Sequence, residues 1–159
     1  LSSGLFYGYV VVDVPLLVAN VTGVDPTMWD APSTDRTLAA TILEHLVHLI
    51  ATVSPGAKKG STAPYAWAQA LLIELGTRQP RSLASAFEAP VRTRSGHSMT
   101  RSAESALYER LGAFDRSYGA GEARAALSLS GQTHEAVQGP LSLDALASWV
   151  AAAVRTATA

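Results

Sequence analysis

Two histidines in the first third of the chain could place two imidazoles beside one metal ion. They lie in the order Glu44-His45-Leu46-Val47-His48, a spacing that a helix brings to one face. The metalloprotease motif, however, needs Glu directly after the first His and the second His four positions on. No third ligand follows at a recognisable spacing, and one His could simply pack at the core edge. We therefore predict neither a metal site nor a cofactor.

A basic segment follows, Gly56-Ala57-Lys58-Lys59-Gly60-Ser61, which is superficially like a phosphate-binding P-loop. The required Gly-Lys-Ser/Thr ending is missing, which argues against ATP binding. The ammonium groups of Lys58 and Lys59, the hydroxyls of Ser61 and Thr62 and the backbone N–H groups could still contact phosphate oxygens. A solvated loop after a helix explains the same residues equally well.

A second basic feature is Arg92-Thr93-Arg94, which follows Pro90. Proline favours an extended chain, and alternate residues of an extended chain point to the same side, roughly 6.6 Å apart. Two guanidinium groups at that spacing suit successive phosphates of a nucleic-acid strand. Salt bridges to the protein's own acids are the competing explanation.

Aromatic residues at alternate positions could stack on bases, as they do on the sheet surfaces of RNA-binding domains. These are Tyr7, Tyr9, Tyr65 and Trp67. Such residues more often pack within a sheet. The sequence contains no nucleophile elbow, no dinucleotide fingerprint and no carboxylate pair at a useful local spacing. None of these catalytic motifs therefore assigns a reaction to the chain.

Composition sets the bounds within which these residues act. The 159 residues suit one domain, and a hydrophobic fraction of 48% is enough for a core. Cysteine is absent, which excludes disulfides, thiol nucleophiles and cysteine-based zinc sites and is compatible with a cytoplasmic protein. No apolar run reaches the roughly 18 residues of a membrane span, since Asp13 and Pro15 interrupt the longest candidate.

The net charge of −1 hides an asymmetry along the chain. Residues 58–101 hold two Lys and five Arg against two Glu, a net charge of +5. The stretches before and after carry net charges of −4 and −2. The net charge therefore argues against a uniformly basic coat for nucleic acid, and the basic charge is concentrated in the middle third.

Apolar patterning predicts the elements that position these groups. Branched and aromatic residues at both odd and even positions predict a strand over Leu5 to Val14. Two more strands are predicted over Tyr65 to Leu75 and Ala125 to Leu129. A short helix should lie between Asp13 and Gly23, followed by a loop over residues 24–33.

Three longer helical segments are predicted from the 3.6-residue period. The first begins near Thr34 and carries the stripe Leu38, Ile42, Leu46, Leu49 and Val53; the second follows Ser98; the third has Ser142 as its N-cap. Ser82 to Ala89 has the length of two helical turns, and residues 58–64 should form an exposed loop. This order predicts an α+β fold with one sheet, in a single domain over residues 1–159.

Several segments, in order over nearly the whole chain, resemble the C-terminal part of the CasC family, the backbone subunits of the type I-E CRISPR effector Cascade. The segments are Ser3-Gly4-Leu5-Phe6-Tyr7-Gly8-Tyr9, Ala40-Thr41-Ile42-Leu43-Glu44-His45-Leu46, Pro55-Gly56-Ala57-Lys58, Ala84-Ser85-Ala86-Phe87-Glu88 and Leu146-Ala147-Ser148-Trp149-Val150. The Pro-Gly-Ala-Lys turn and the Ala-Phe-Glu helix followed by basic residues are the most specific parts.

The resemblance implies a non-catalytic antiviral role in the cytoplasm, in which copies polymerise along a CRISPR RNA and expose its spacer for pairing with target DNA. It implies neighbouring CasC copies and the subunits CasA, CasB, CasD and CasE as partners, and no membrane. It also implies a modified RNA-recognition-motif (ferredoxin-like) sheet, packed by helices and carrying insertions. The RNA-contacting residues would be Lys58, Lys59, Ser61, Thr62, Arg92 and Arg94.

Two departures from the family accompany this resemblance. Lys59 stands where relatives are expected to have Gln. The family's N-terminal strand, its first RNA-contacting basic helix and the thumb that kinks the guide all precede the matched region. We therefore expect the chain to be the C-terminal portion of a longer subunit, with a partial sheet whose edge is open to a partner. The alternative is a protein-interaction or assembly module without RNA binding of its own.

Overall fold

The computed structural model describes residues 5–53, 66–93 and 96–157. The chain divides into two compact units. The sheet unit consists of Leu1–Val11 and Gln69–Pro140, and the helical unit of Val12–Ala68 and Leu141–Ala159. The prediction of a single domain stays a prediction.

The helical unit begins with α1, Val14–Thr22. The Asp13 side chain accepts a hydrogen bond from the Leu16 N–H at 2.9 Å, and Pro15 lies in the first turn, where its missing N–H costs no helical hydrogen bond. Gly23 ends the helix at φ 78°, a conformation that favours glycine. The short helix predicted between Asp13 and Gly23 is confirmed.

Helices α2, Thr37–Thr52, and α4, Leu143–Arg155, pack against each other in the helical unit. The buried residues of α2 are Ala39, Ala40, Leu43, Val47 and Ala51, and those of α4 are Leu146, Ala147, Val150, Ala151 and Val154. Alanines at the contact let the two backbones approach closely. Both helices were predicted from their periodicity, and Ser142 caps α4 by accepting from the Ala145 N–H at 3.2 Å.

The sheet unit contains two antiparallel strands, β1 (Ala70–Leu75) and β2 (Ala123–Ser128). Their register pairs Ala70 with Ser128 and Leu75 with Ala123. On its other edge β2 exchanges two backbone hydrogen bonds with Gln138, each 2.9 Å long. Along its other edge β1 has no strand neighbour among the described residues.

Helix α3, Met99–Tyr118, packs beside these strands, with Ser98 as its N-cap. Its buried residues Tyr108 and Leu111 form a core cluster with Leu83, Ala126 and Val137. Ala84–Phe87 forms a single 3-10 turn where two helical turns were predicted. The predicted strands over 65–75 and 125–129 are shorter or shifted in the structure, and Tyr65 lies outside the described residues.

The predicted first strand is wrong. Residues 5–13 have no regular secondary structure, and the side chains of residues 5–12 are exposed. A strand needs a neighbour to take its backbone hydrogen bonds, and β1 and β2 pair with each other instead. The sequence of this segment has high strand propensity, but propensity alone does not supply a pairing partner.

The described residues thus form an α+β fold of four α-helices and one two-stranded antiparallel sheet. This confirms the fold class, whereas the RNA-recognition-motif character of the sheet stays a prediction. Among the helices of the described ranges, none is long and apolar enough to cross a membrane.

Candidate nucleic-acid interface

Arg92 is the one predicted RNA-contacting residue that falls within the described part of the chain. It lies in an irregular segment after Pro90, and its side chain is exposed. Within the described ranges it makes no ion pair or hydrogen bond. Its guanidinium group is therefore available to a phosphate. Lys58, Lys59, Ser61, Thr62 and Arg94 lie outside the described residues, as does the predicted loop over 58–64.

Other arginines of the basic middle third are held by the protein's own acids. Arg78 donates to both carboxylate oxygens of Glu122, at 2.8 Å each, and to the carbonyls of Tyr118 and Gly119 at 3.0 and 2.8 Å. Arg81 lies 3.1 Å from Glu74 and 3.4 Å from Glu122. Two of the positive charges counted in the sequence are therefore neutralised within the fold.

Arg124 lies at the centre of this cluster, and its side chain is only 1% exposed. The register of the sheet sets Glu74 opposite Arg124, and their Nε–Oε1 distance is 2.8 Å. Asp115, from the last turns of α3, accepts two bonds from the same guanidinium at 2.6 and 2.7 Å. Glu122 accepts a further bond at 3.0 Å. A buried guanidinium with all its polar atoms satisfied is what a low-dielectric site requires.

We name this set the arginine cluster: Arg78, Arg81, Arg124, Glu74, Asp115 and Glu122. The hydrogen bond from Arg124 holds the pKa of Asp115 below its ordinary value, and the bond from Arg78 does the same for the pKa of Glu122. The bond to Asp115, in turn, raises the pKa of Arg124. Three acids balance three bases, so the cluster adds no net charge for a ligand.

Sequence reasoning missed this cluster because its members come from four separate segments. The available signal was weak: Glu74 and Arg124 are the charged residues inside two otherwise uncharged strands. Apart from the arginines of the cluster, two described arginines within residues 58–101 make no ion pair: Arg92 and Arg101. Arg101 is exposed in the first turn of α3.

The aromatic residues singled out in the sequence have different environments. Tyr7 is engaged in packing, because its ring lies 5.5 Å from that of Phe87 and its hydroxyl accepts from the Leu83 N–H at 3.1 Å. Tyr9 and Trp67 are 47% and 66% exposed. Within the described residues of the sheet unit, neither Tyr7 nor Tyr9 makes a ring contact with Arg92.

The two histidines on α2 point to no metal centre within the described ranges. His48 Nε2 lies 3.6 Å from an oxygen of Asp144, while His45 is exposed. Across those ranges, no group of three His, Asp or Glu side chains is arranged to hold a metal ion.

Comparison with known proteins supplies what the geometry alone does not. A model of a family described as CT1975-like protein, a family of CRISPR-associated (Cas) proteins, matches residues 1–151. No curated protein matches the chain significantly. The match confirms the CRISPR-associated character that the resemblance implied, at the level of this family rather than of CasC itself.

Proposed function

Because this chain belongs to the CT1975-like family of CRISPR-associated proteins, we propose that it is a non-catalytic, CRISPR RNA-binding backbone subunit of a type I-E Cascade complex. Copies would polymerise along the guide and leave its spacer free to pair with invading DNA. The partners would be neighbouring copies and the subunits CasA, CasB, CasD and CasE. The observation that carries the proposal is the family match over residues 1–151.

Arg92 supports the proposal with a specific chemistry. It is exposed, and no acid among the described residues neutralises it, in contrast to Arg78 and Arg81. In the sequence, Arg92 lies four residues after the segment Ala84-Ser85-Ala86-Phe87-Glu88, which resembles the family. A cation presented in this way can neutralise a phosphate without selecting a base.

The mechanism follows from that chemistry. Contacts to the phosphate backbone hold a guide of any sequence, while base pairing supplies the specificity, as in other RNA-guided systems. The proposed contacts are the cations Lys58, Lys59, Arg92 and Arg94, together with the hydroxyls of Ser61 and Thr62. No bond-making step is needed, so the proposal includes no catalytic residue.

The salt dependence of RNA binding tests this proposal. If each of the four cations neutralises one phosphate, log affinity for single-stranded RNA should fall against log salt with a slope of about −3. The double variant Arg92→Ala/Arg94→Ala should roughly halve that slope. Filter binding at several salt concentrations measures it.

A matched control removes the same charge elsewhere. The double variant Arg110→Ala/Arg155→Ala loses two arginines outside the proposed contacts, one bonded to the Ser85 carbonyl and one paired with Glu44 at 3.7 Å. It should keep the wild-type slope. An unchanged slope in the Arg92→Ala/Arg94→Ala variant would overturn the assignment of these contacts.

The alternative, a protein-interaction or assembly module without RNA binding, is favoured by a different observation. Helix α2 exposes apolar side chains opposite its buried face: Leu38 and Leu49 are 55% and 54% exposed, and Val53, which follows the helix, is 61% exposed. Burying such residues against another protein is favourable. A chain that self-associates or binds protein, and that binds no RNA even at low salt, would establish this alternative.

A further inference from the structure

Three planar side chains lie together near the C-terminal end of α3, and we call this row of Arg81 and the tilted rings of Phe114 and Tyr118 the stack. The guanidinium of Arg81 lies 5.3 Å from the centroid of the Phe114 ring, and the rings of Phe114 and Tyr118 are 5.7 Å apart at 30°. Tyr118 is 74% exposed. The exposed face of an aromatic ring can pack against another planar group.

The backbone that carries this ring is held in place. Arg78 donates to the carbonyl of Tyr118 at 3.0 Å and to that of Gly119 at 2.8 Å, while the same guanidinium is bound to Glu122. These bonds satisfy carbonyls that the helix end leaves without helical partners. A ring on a fixed backbone, supported by Phe114, loses little conformational entropy when it binds a ligand.

Beside the stack lies a shallow pocket of about 240 Å³. Its lining includes Gln79 and Gly119 together with the residues of the stack. Gln79 is exposed, and its amide makes no hydrogen bond within the described ranges. This volume is below the roughly 300–1,000 Å³ of most small-molecule sites, so the pocket suits a single planar ring.

We propose that Tyr118 and Gln79 form a subsite for one unpaired nucleobase of a single-stranded RNA. The base would stack on the Tyr118 ring, and the Gln79 amide, with a donor and an acceptor side by side, would meet the hydrogen-bonding edge of the base. This inference rests on the RNA-binding function proposed above, and it deepens that function by adding a contact to a base. The nearby arginines are neutralised by acids of the arginine cluster, so the subsite contributes stacking rather than charge.

That distinction separates the two proposals experimentally. A stacking contact changes affinity while leaving the salt slope unaltered, whereas a phosphate contact changes the slope. We expect Tyr118→Ala to weaken binding of an oligoadenylate of about 12 nucleotides roughly tenfold at constant slope. Tyr118→Trp should retain wild-type affinity, because it keeps the stacking surface.

The matched control is Ser117→Ala, which changes an exposed neighbour on the same helical turn and should bind like the wild type. An RNA of the same length with abasic sites should bind wild type and Tyr118→Ala equally. Circular dichroism checks that each variant is folded, which we expect for substitutions at exposed positions.

Each outcome decides between the proposals. Two results would overturn the base subsite. One is that Tyr118→Ala binds oligoadenylate with wild-type affinity; the other is that Tyr118→Ala loses as much affinity for the abasic RNA as for oligoadenylate. If Arg92→Ala/Arg94→Ala still lowers the salt slope, the proposed phosphate contacts stand and only the subsite is overturned. If the Tyr118 ring binds a protein instead of a base, Tyr118→Ala should bind oligoadenylate with wild-type affinity. Absence of RNA binding by the wild-type chain would overturn the proposed function and the subsite together.

Discussion

The sheet unit and the helical unit are stabilised by different means. The sheet unit has Arg124 at its centre, 1% exposed and bonded to three carboxylates. The helical unit relies on apolar packing of α2 against α4, and its ion pairs are exposed, such as Arg155 with Glu44 at 3.7 Å. The sheet unit therefore combines an apolar core with a buried charge network, whereas the helical unit depends on shape and apolar area.

The difference shows why charge counted along a sequence is a poor guide to charge offered to a ligand. A buried cation must be paired, since an unpaired charge in a low-dielectric interior costs several kcal/mol. The arginine cluster meets that requirement and so removes Arg78 and Arg81 from any phosphate-binding surface. Arg92, in an irregular exposed segment, remains available.

The largest expected effect comes from removing the centre of the cluster. Arg124→Ala leaves Glu74, Asp115 and Glu122 close together without their common cation, and should lower the free energy of unfolding of the sheet unit by about 4 kcal/mol. Hydrogen exchange of the amides in β1 and β2 measures this directly. Arg155→Ala is the control, and its exposed pair should contribute less than about 1 kcal/mol. Wild-type protection of β1 and β2 in Arg124→Ala would contradict the role assigned to the cluster.

A somewhat smaller effect is expected from a cavity in the helical unit. Leu146 is fully buried, so Leu146→Ala should cost about 3 kcal/mol of unfolding free energy. Urea unfolding followed by tryptophan fluorescence reports on this unit, because Trp29, Trp67 and Trp149 all belong to it. Leu38→Ala, at an exposed position of α2, should change the free energy of unfolding by less than about 0.5 kcal/mol. Equal effects of the two substitutions would mean that the α2–α4 contact is not the core of this unit.

The smallest effect is the acid dependence of the sheet unit. The pKa values of Asp115 and Glu122 are lowered in the folded state from ordinary values of 3.8 and 4.5. A carboxyl with a lowered folded pKa binds its proton more readily in the unfolded chain, so the stabilisation is present above the ordinary pKa. It is lost as the pH falls through the lowered values.

Urea unfolding followed by far-UV circular dichroism, from neutral pH to about pH 3, should therefore show stability falling below about pH 4.5. Glu122→Gln removes one of the titrating groups and should flatten part of this dependence. A free energy of unfolding that stays constant over the acid range would show that the two carboxyls are not held by Arg124 and Arg78.

Local signals predicted the helices well. Caps at Asp13, Ser98 and Ser142, with glycines at the helix ends, act within a few residues and so are visible in the sequence. The strand predicted over residues 5–14 was wrong because a strand is stabilised by a neighbour that no local pattern supplies. The proposed base subsite was not predicted from the sequence for a similar reason, since Gln79 and Tyr118 are far apart in the chain.

Helix α2 shows which features the sequence predicts and which only the tertiary structure decides. The apolar stripe that predicted the helix, including Leu38, Ile42 and Leu49, is largely exposed, while Leu43 and Val47 face the core. Both faces are apolar enough to be buried, so the sequence predicts the helix but does not choose its buried side. The small residues of α4 make that choice by allowing close approach on one face.

The sequence by itself therefore determined the helices, the fold class, the basic middle third and the resemblance to CRISPR-associated proteins, because these depend on local spacing and composition. The tertiary structure decided which arginines are engaged in ion pairs, which face of α2 is buried, and that the Tyr118 ring beside Phe114 is exposed. Those outcomes depend on residues distant in the chain meeting at atomic distances, where desolvation and pairing set the free energy of each group.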